Sequence, residues 1–232
     1  MFIASLMENL RFFEIYRSSE YLGLLLDGIL ISSLLTITAG IFGIVLALGL
    51  ASIRYWQVPV IDWLAAAYVD FIRNTPLIVQ LFFITFGLPT VLGYSWPFWA
   101  HALLALTINF SGYFAEILRS GFASIPIGQL EASAALNLTK KTIFRYIVLP
   151  QTIVTMFPSL SSQFIFLFLT TGVISEIGVG DLTHAGVFID SRTFRSFEVF
   201  ITLTGLYILI SLVLKSSLQL WFKATLGKRV SE

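Results

Sequence analysis

The chain has 232 residues, 57% of them hydrophobic and 12% charged, with a mean hydropathy of +0.89. Soluble domains carry roughly 25% charged residues, so half that fraction excludes an ordinary soluble domain and implies an integral membrane protein. Cysteine is absent, which closes disulfide and Cys-ligated metal chemistry, and no basic stripe or stacking motif stands outside the apolar segments, which excludes nucleic-acid binding.

Residues 2–20 mix Phe, Ile, Leu and Tyr with Glu8, Arg11, Glu14, Arg17 and Glu20. No charge-free apolar core begins the chain, which argues against a cleaved signal peptide. The mixture suits an interfacial amphipathic helix or an irregular tail. A spanning helix takes about 20 apolar residues, and Leu22 to Ile53 exceeds that, with Asp27 near its start and Arg54 at its end. Its hydroxyl residues (Ser32, Ser33, Thr36, Thr38) and glycines (Gly40, Gly43, Gly49) are those of helices packed closely in lipid.

A second apolar segment, Ile61 to Leu88, is interrupted by Asp62, Asp70 and Arg73-Asn74-Thr75-Pro76, leaving only Leu77 to Leu88 unbroken. Pro76 donates no backbone hydrogen bond and disfavours helix at Thr75, so a bent helix entry is expected. Pro89 to Trp96 reads as a turn with interfacial aromatics. Pro97 to Leu118 is a third span carrying Thr107, Asn109, Ser111, Tyr113 and Glu116. Arg119, Gly121, Pro126 and Gly128 then lead into the long polar stretch Glu131 to Gln151. A fourth segment, Ile143 to Ile177, is interrupted by Pro150 and Pro158 and ends in a loop with Gly178, Gly180, Asp181, Asp190, Arg192 and Arg195. The fifth span is Phe197 to about Phe222, followed by Lys223, Lys228 and Arg229.

These elements describe an all-α integral membrane protein of about five spans. It divides into an interfacial segment (1–21), a transmembrane domain (22–222, with a polar loop at about 120–145) and a tail (223–232). Arg54, Arg73, Arg119, Lys140, Lys141, Arg145, Lys215, Lys223, Lys228 and Arg229 fall on the side of the Glu131 loop, against Arg11, Arg17, Arg192 and Arg195. Basic residues favour the cytosolic side, so the loop and carboxyl terminus are expected inside and the amino terminus outside.

Polar side chains at membrane depth are costly and face a protein interior or a wet cavity. Asn109, Tyr113 and Glu116 recur at helical spacing on one face, a candidate substrate-facing stripe. Asn109 suits an interhelical hydrogen bond equally, and Glu116 an ion pair with Arg119 three residues on. Thr170, Thr171, Gly172, Ser175 and Glu176 offer a second wall near the end of the fourth segment. Pro158, among Ser159, Ser161, Ser162 and Gln163, is the expected helix break, since broken helices often hold substrate in transporters; a bent packing helix is the alternative. His101 and His184 stand apart without ligand spacing, so no metal is expected.

The run Tyr113-Phe114-Ala115-Glu116-Ile117-Leu118-Arg119, then Ser124-Ile125-Pro126, Gly128-Gln129, Glu131-Ala132 and Leu149-Pro150-Gln151, closely resembles the permease subunit of ABC importers for polar amino acids. Arg73-Asn74-Thr75-Pro76-Leu77 with Gln80-Leu81-Phe82-Phe83 agrees, as does Ile177-Gly178-Val179 with Asp181-Leu182-Thr183. The resemblance covers about residues 22–222. It implies a type I importer permease (MetI-like) fold with a cytoplasmic "EAA" coupling helix, in the bacterial cytoplasmic membrane. It implies as partners a second permease, identical or sister, a cytosolic ATPase dimer and an external amino-acid-binding protein. Glu131, Ala132, Ser133, Ala135, Leu136, Asn137, Leu149 and Pro150 would form the coupling loop, and Arg73, Asn74, Thr75 and Pro76 a cytoplasmic gate region. Two positions depart from the family pattern: Ser133 replaces its second alanine and Asn137 its loop glycine. Asn tolerates a left-handed backbone, so the turn can survive. Taken without the resemblance, Glu131 reads as a helix amino-end charge. The segment Thr193 to Glu198 resembles members that handle acidic amino acids.

No G-x-x-x-x-G-K-[ST] occurs; Gly227-Lys228-Arg229 lacks the spacing and the hydroxyl residue. Nucleotide chemistry is therefore expected on another polypeptide, with no cofactor on this chain. The alternative reading is an ion-coupled secondary transporter or channel subunit, although no inverted repeat is visible across the spans.

Overall fold

A computed structural model describes residues 12–225. Most of the expected interfacial segment, including Glu8 and Arg11, and the tail residues Lys228 and Arg229 lie outside the described residues. After a short helical turn, Phe13–Tyr16, the chain forms eight helices: α1 (Ser19–Tyr55), α2 (Ile61–Arg73), α3 (Leu77–Leu92), α4 (Phe98–Ala123), α5 (Ile127–Ala135), α6 (Lys140–Ile177), α7 (Leu182–Thr193) and α8 (Ser196–Thr225). Helices α1, α4, α6 and α8 are each long and apolar enough to cross a membrane. The pair α2 and α3, bent by 105° at Pro76, is together apolar and long enough to count as a broken fifth span.

The long helix α1 is apolar on every side, so its packing face is chosen by size rather than hydropathy. Gly28, Ser32, Thr36, Gly40, Gly43, Ala47 and Ala51 recur every three or four residues and are buried. Small residues at that spacing let helix backbones approach closely in lipid; the stripe meets Phe164 of α6 at Gly40 and α4 at Gly43, beside the fully buried Phe114. At the amino-terminal end of α1, Gly28 abuts the start of α7: a Cβ there would lie 2.8 Å from the Cα of Leu182 and 2.9 Å from the carbonyl oxygen of Asp181. Ser32 Oγ accepts a hydrogen bond from the Leu182 N–H at 3.2 Å. The other end of the bundle gathers the last turns of α1 and α4 and the first turns of α2 and α6. Tyr55, Phe122 and Phe144 meet there with ring centroids 5.0–5.6 Å apart.

Three expectations are corrected. The segment after Ile177 is not all loop: residues 182–193 form α7, because Asp181 accepts hydrogen bonds from the N–H groups of Thr183 (3.2 Å) and His184 (2.9 Å), capping a helix start. The stretch Glu131–Gln151 is not a single polar gap; α6 begins at Lys140, capped by Thr139, so Leu149 and Pro150 lie inside a helix. And Pro158 does not break α6, which continues through it as α-helix. One lost hydrogen bond is tolerated within a packed membrane helix.

The irregularities of α6 lie elsewhere, in a π-helical turn at Phe144–Val148 and a 3₁₀ turn at Thr171–Ile177. Helix α3 has a matching π turn at Phe83–Gly87. Each π turn directly precedes a Leu-Pro pair, Leu88-Pro89 and Leu149-Pro150. The leucine N–H reaches back five residues, to the carbonyl of Phe83 or Phe144. Proline inside a helix collides with the carbonyl four residues before it, and the wider turn moves that carbonyl aside.

Candidate functional site

The break between α2 and α3 organises the site. Gln80, on the first turn of α3, folds back across the bend: its Nε2 donates to the carbonyls of Ile72 (2.9 Å) and Thr75 (3.2 Å), and its Oε1 accepts from Asn109 Nδ2 of α4 at 3.1 Å. Both amides are buried, where an unpaired polar group is expensive. Asn109 is therefore held by an interhelical hydrogen bond, one of its two expected roles. Tyr68 adds a second tie between α2 and α4 through its hydroxyl, 2.8 Å from Ser111 Oγ.

Beside this relay opens a cleft of about 360 Å³. The break contributes Arg73, Asn74, Thr75, Pro76 and Leu77, α4 contributes Asn109 and Tyr113, and α6 contributes Phe166 and Thr170. All four expected gate residues thus line one cleft with Asn109 and Tyr113 of the expected stripe and Thr170 of the expected second wall. The other pathway candidates do not. Thr171 is fully buried and its hydroxyl donates to the Phe168 carbonyl; Ser175 donates to the Gly172 carbonyl; Glu176 is exposed. The tighter 3₁₀ winding, three residues per turn, carries them off the face on which Thr170 lies. Phe166 is the wall residue that sequence reasoning missed; its four-residue spacing from Thr170 was the available signal.

Glu116 sits about one helical turn beyond Tyr113 and outside the cleft lining. Its carboxylate takes a two-pronged hydrogen bond from Arg119 (3.0 and 2.5 Å) and lies 3.5 Å from Arg54 Nη1 and 3.8 Å from Arg73 Nη1. The expected Glu116–Arg119 pair is present, and arginines from α1 and α2 join it. Arg54 also lies 3.9 Å from Asp62. Three helices are thereby tied at one carboxylate, between the cleft and the end of the bundle that carries α5.

Helix α5 is closed by a turn with Asn137 at φ 56°. The Leu138 N–H donates to the Ser133 carbonyl (3.2 Å) and the Asn137 N–H to the Ala134 carbonyl (2.9 Å), the paired bonds of a helix end closed by a left-handed residue. Ser133 turns inward and is buried, its hydroxyl donating to the Gln129 carbonyl at 2.6 Å. Gln151 Nε2 donates to Gln129 Oε1 at 2.9 Å, holding α5 against α6. The outward surface carries Glu131, Ala132, Ala135 and two strongly exposed apolar side chains, Ile127 and Leu136 (73% and 74%). A short helix with small residues and apolar ends turned to solvent has the form of a docking element.

Residues 24–225 match the family described as binding-protein-dependent transport system inner membrane component. The chain belongs to this family. It is 33% identical over 194 residues to a probable amino-acid ABC transporter permease of Vibrio harveyi, covering 81% of this chain and 85% of that one. It is 35% identical over 198 residues to an octopine transport system permease of Rhizobium radiobacter (82% and 80% covered), and 33% identical over 199 residues to an L-cystine transport system permease of Bacillus subtilis (83% and 81%). Among solved structures, an amino acid ABC transporter with histidines matches with a TM-score of 0.84 at 32% identity, over 93% of this chain and 99% of that one. The methionine transporter MetNI in an inward-facing conformation shares the fold, with a TM-score of 0.76 at 21% identity, over 89% of this chain and 98% of that one. The chain is a multi-pass permease subunit of an ABC importer, a role that goes with an ATPase and further importer components. The ion-coupled reading is set aside.

Proposed function

We propose that this permease carries a polar amino acid through the cleft at the α2–α3 break, and that α5 transmits the motion of a separate cytosolic ATPase dimer to the membrane helices. The observation that carries the reading is continuity along α4. Asn109 and Tyr113 border the cleft, Glu116 and Arg119 hold the ion cluster, and the helix ends at Ala123, three residues before Pro126 and α5. Cleft, cluster and docking helix lie within roughly 20 Å of one helix, at 1.5 Å per residue.

The amino terminus lies outside, and the carboxyl terminus and α5 lie in the cytosol; the bias of basic residues supports this orientation. A second permease, identical or sister, completes the pathway, and an external binding protein delivers the amino acid. Named relatives transporting octopine and L-cystine support an amino-acid substrate class. Alternation between outward and inward states then moves the two permeases as rigid bodies about their interface.

Reconstitution tests the whole reading. The purified chain in lipid vesicles is expected to hydrolyse no ATP. With its ATPase and binding protein it is expected to show amino-acid-stimulated hydrolysis and uptake. Uptake that follows a sodium or proton gradient without ATP overturns it.

A further inference from the structure

We propose that the cleft selects an amino acid of net negative charge, and that Arg73 reads that charge by exchanging Glu116 for a substrate carboxylate. This deepens, and rests on, the reading of the cleft as the substrate site.

The cleft is electrostatically one-sided. Among the described residues that line it, Arg73 alone is charged and none is acidic; Asn74, Thr75, Asn109, Tyr113 and Thr170 are neutral polar. A cationic side chain entering it meets an arginine and no carboxylate, which selects against it. A carboxylate meets a planar guanidinium that can offer two parallel hydrogen bonds. The Arg73 guanidinium carbon lies 6.0 Å from the centre of the Tyr113 ring, which supports it at the edge of the cleft.

Arg73 is also the arginine least committed to its present partner. Glu116 Oε1 is taken by Arg119 Nη2. Its Oε2 is claimed by Arg119 Nε at 3.0 Å, then Arg54 at 3.5 Å, and last by Arg73 at 3.8 Å. That last separation is beyond hydrogen-bond length, and the Arg73 side chain is 37% exposed. The other acids nearby do not hold it: Asp62 lies against Arg54, and among the described residues Glu116 is the acid paired with Arg73. Moving Arg73 to a ligand thus breaks no hydrogen bond and leaves Glu116 paired twice.

The exchange has a mechanical result. Arg73 is the last residue of α2 and Glu116 belongs to α4. Loading the cleft therefore releases an ionic tie between those helices at the end facing α5, while Arg54 and Arg119 keep α1 and α4 paired.

The test is direct binding to the permease–ATPase complex without the external binding protein, so that selection by the latter is removed. Isothermal titration with L-glutamate, its neutral isostere L-glutamine and L-arginine is expected to rank them in that order, with glutamate about tenfold or more tighter than glutamine. Arg73→Gln is expected to erase the preference for glutamate while glutamine binding persists, which also reports an intact fold. Arg73→Lys retains part of the preference, and Glu116→Gln, which frees Arg73, tightens glutamate binding. Equal losses for glutamate and glutamine in Arg73→Gln, a wild-type complex that prefers arginine, or one that binds no glutamate overturns the proposal. Thr170→Trp, which fills the cleft, separates the two levels. If binding survives it, the cleft reading itself fails. If binding is lost but Arg73→Gln keeps the preference, only the charge-reading role fails.

Discussion

Asn137 and Asp181 show how far single residues are set by backbone demands. At φ 56° Asn137 occupies the conformation in which L-residues other than Asn and Asp pay about 1–2 kcal/mol. Asn137→Gly is expected to leave assembly and ATPase coupling unchanged, and Asn137→Ala to lower the thermal midpoint of the purified complex. The two departures from the family pattern are thus absorbed differently, one by a permissive backbone and one by the inward-facing hydroxyl of Ser133. Asp181 caps α7 from a fully buried position, and burial pushes its carboxyl up to about 6, against the Thr183 and His184 N–H groups that favour its charged form. In the unfolded chain it titrates near 4, so the folded state holds the proton more tightly. Its contribution to stability is therefore best below about pH 4 and falls as pH rises to 6. Melting curves of Asp181→Asn are expected to lose that part of the pH dependence. The arginines around Glu116 mark a limit of reading residues from sequence. The i,i+3 partner Arg119 was legible from helical spacing, whereas Arg54 and Arg73 arrive from other helices, and no periodicity within α4 points to them.

At the scale of elements, the four long apolar helices and the bend at Pro76 were legible because long apolar runs and an X-Pro interruption each act locally. Helix α7 was not: its residues carry no sustained apolar run, and its start depends on Asp181, whose capping role needs Gly28 and Ser32 of α1 to bring the backbones together. Pro158 misled for the opposite reason. A proline signals a lost hydrogen bond, but neighbours decide whether the helix yields, and here the winding changes at Phe144–Val148 and Thr171–Ile177 instead. The bend at Pro76 is held by the Gln80–Asn109 relay. Gln80→Leu orphans the Thr75 carbonyl and the Asn109 amide donor, at about 1–3 kcal/mol for each group left unpaired, while the Ile72 carbonyl keeps the Thr75 N–H at 3.4 Å. Because the two amides act as a unit, Gln80→Leu combined with Asn109→Leu is expected to cost less than the sum of the single changes. A double-mutant cycle on thermal stability measures the difference; strict additivity would mean that the amides are energetically independent.

Across the whole molecule one continuous helix, α4, runs from the cleft past the ion cluster towards α5, the helix proposed to dock the ATPase. Charge reversal at the docking surface, Glu131→Lys with Ala132→Arg, alters two exposed residues and is expected to leave folding intact while abolishing binding-protein-stimulated ATP hydrolysis. Stimulation that persists in this variant would remove α5 from the coupling route. The surface of the bundle adds a second constraint. Helix α8 exposes Ile208, Leu209, Leu212 and Val213 over much of its length, an apolar face suited to lipid or to another permease.

The π turn of α6 gives this assembly a rotary register. One residue of α-helix corresponds to about 100° of rotation, and a π turn holds one extra residue within an otherwise regular helix. The turn at Phe144–Val148 stands between the docking end of α6, at Lys140, and the wall of the cleft, at Phe166 and Thr170. Removing one residue there would restore regular winding with both ends of α6 in phase, whereas rewinding the same residues as α-helix would turn the Lys140 end by roughly a quarter circle relative to the cleft wall. The winding of that turn is thus an angular setting between the two ends of α6, and under the coupling role proposed for α5 it fixes the direction of the push.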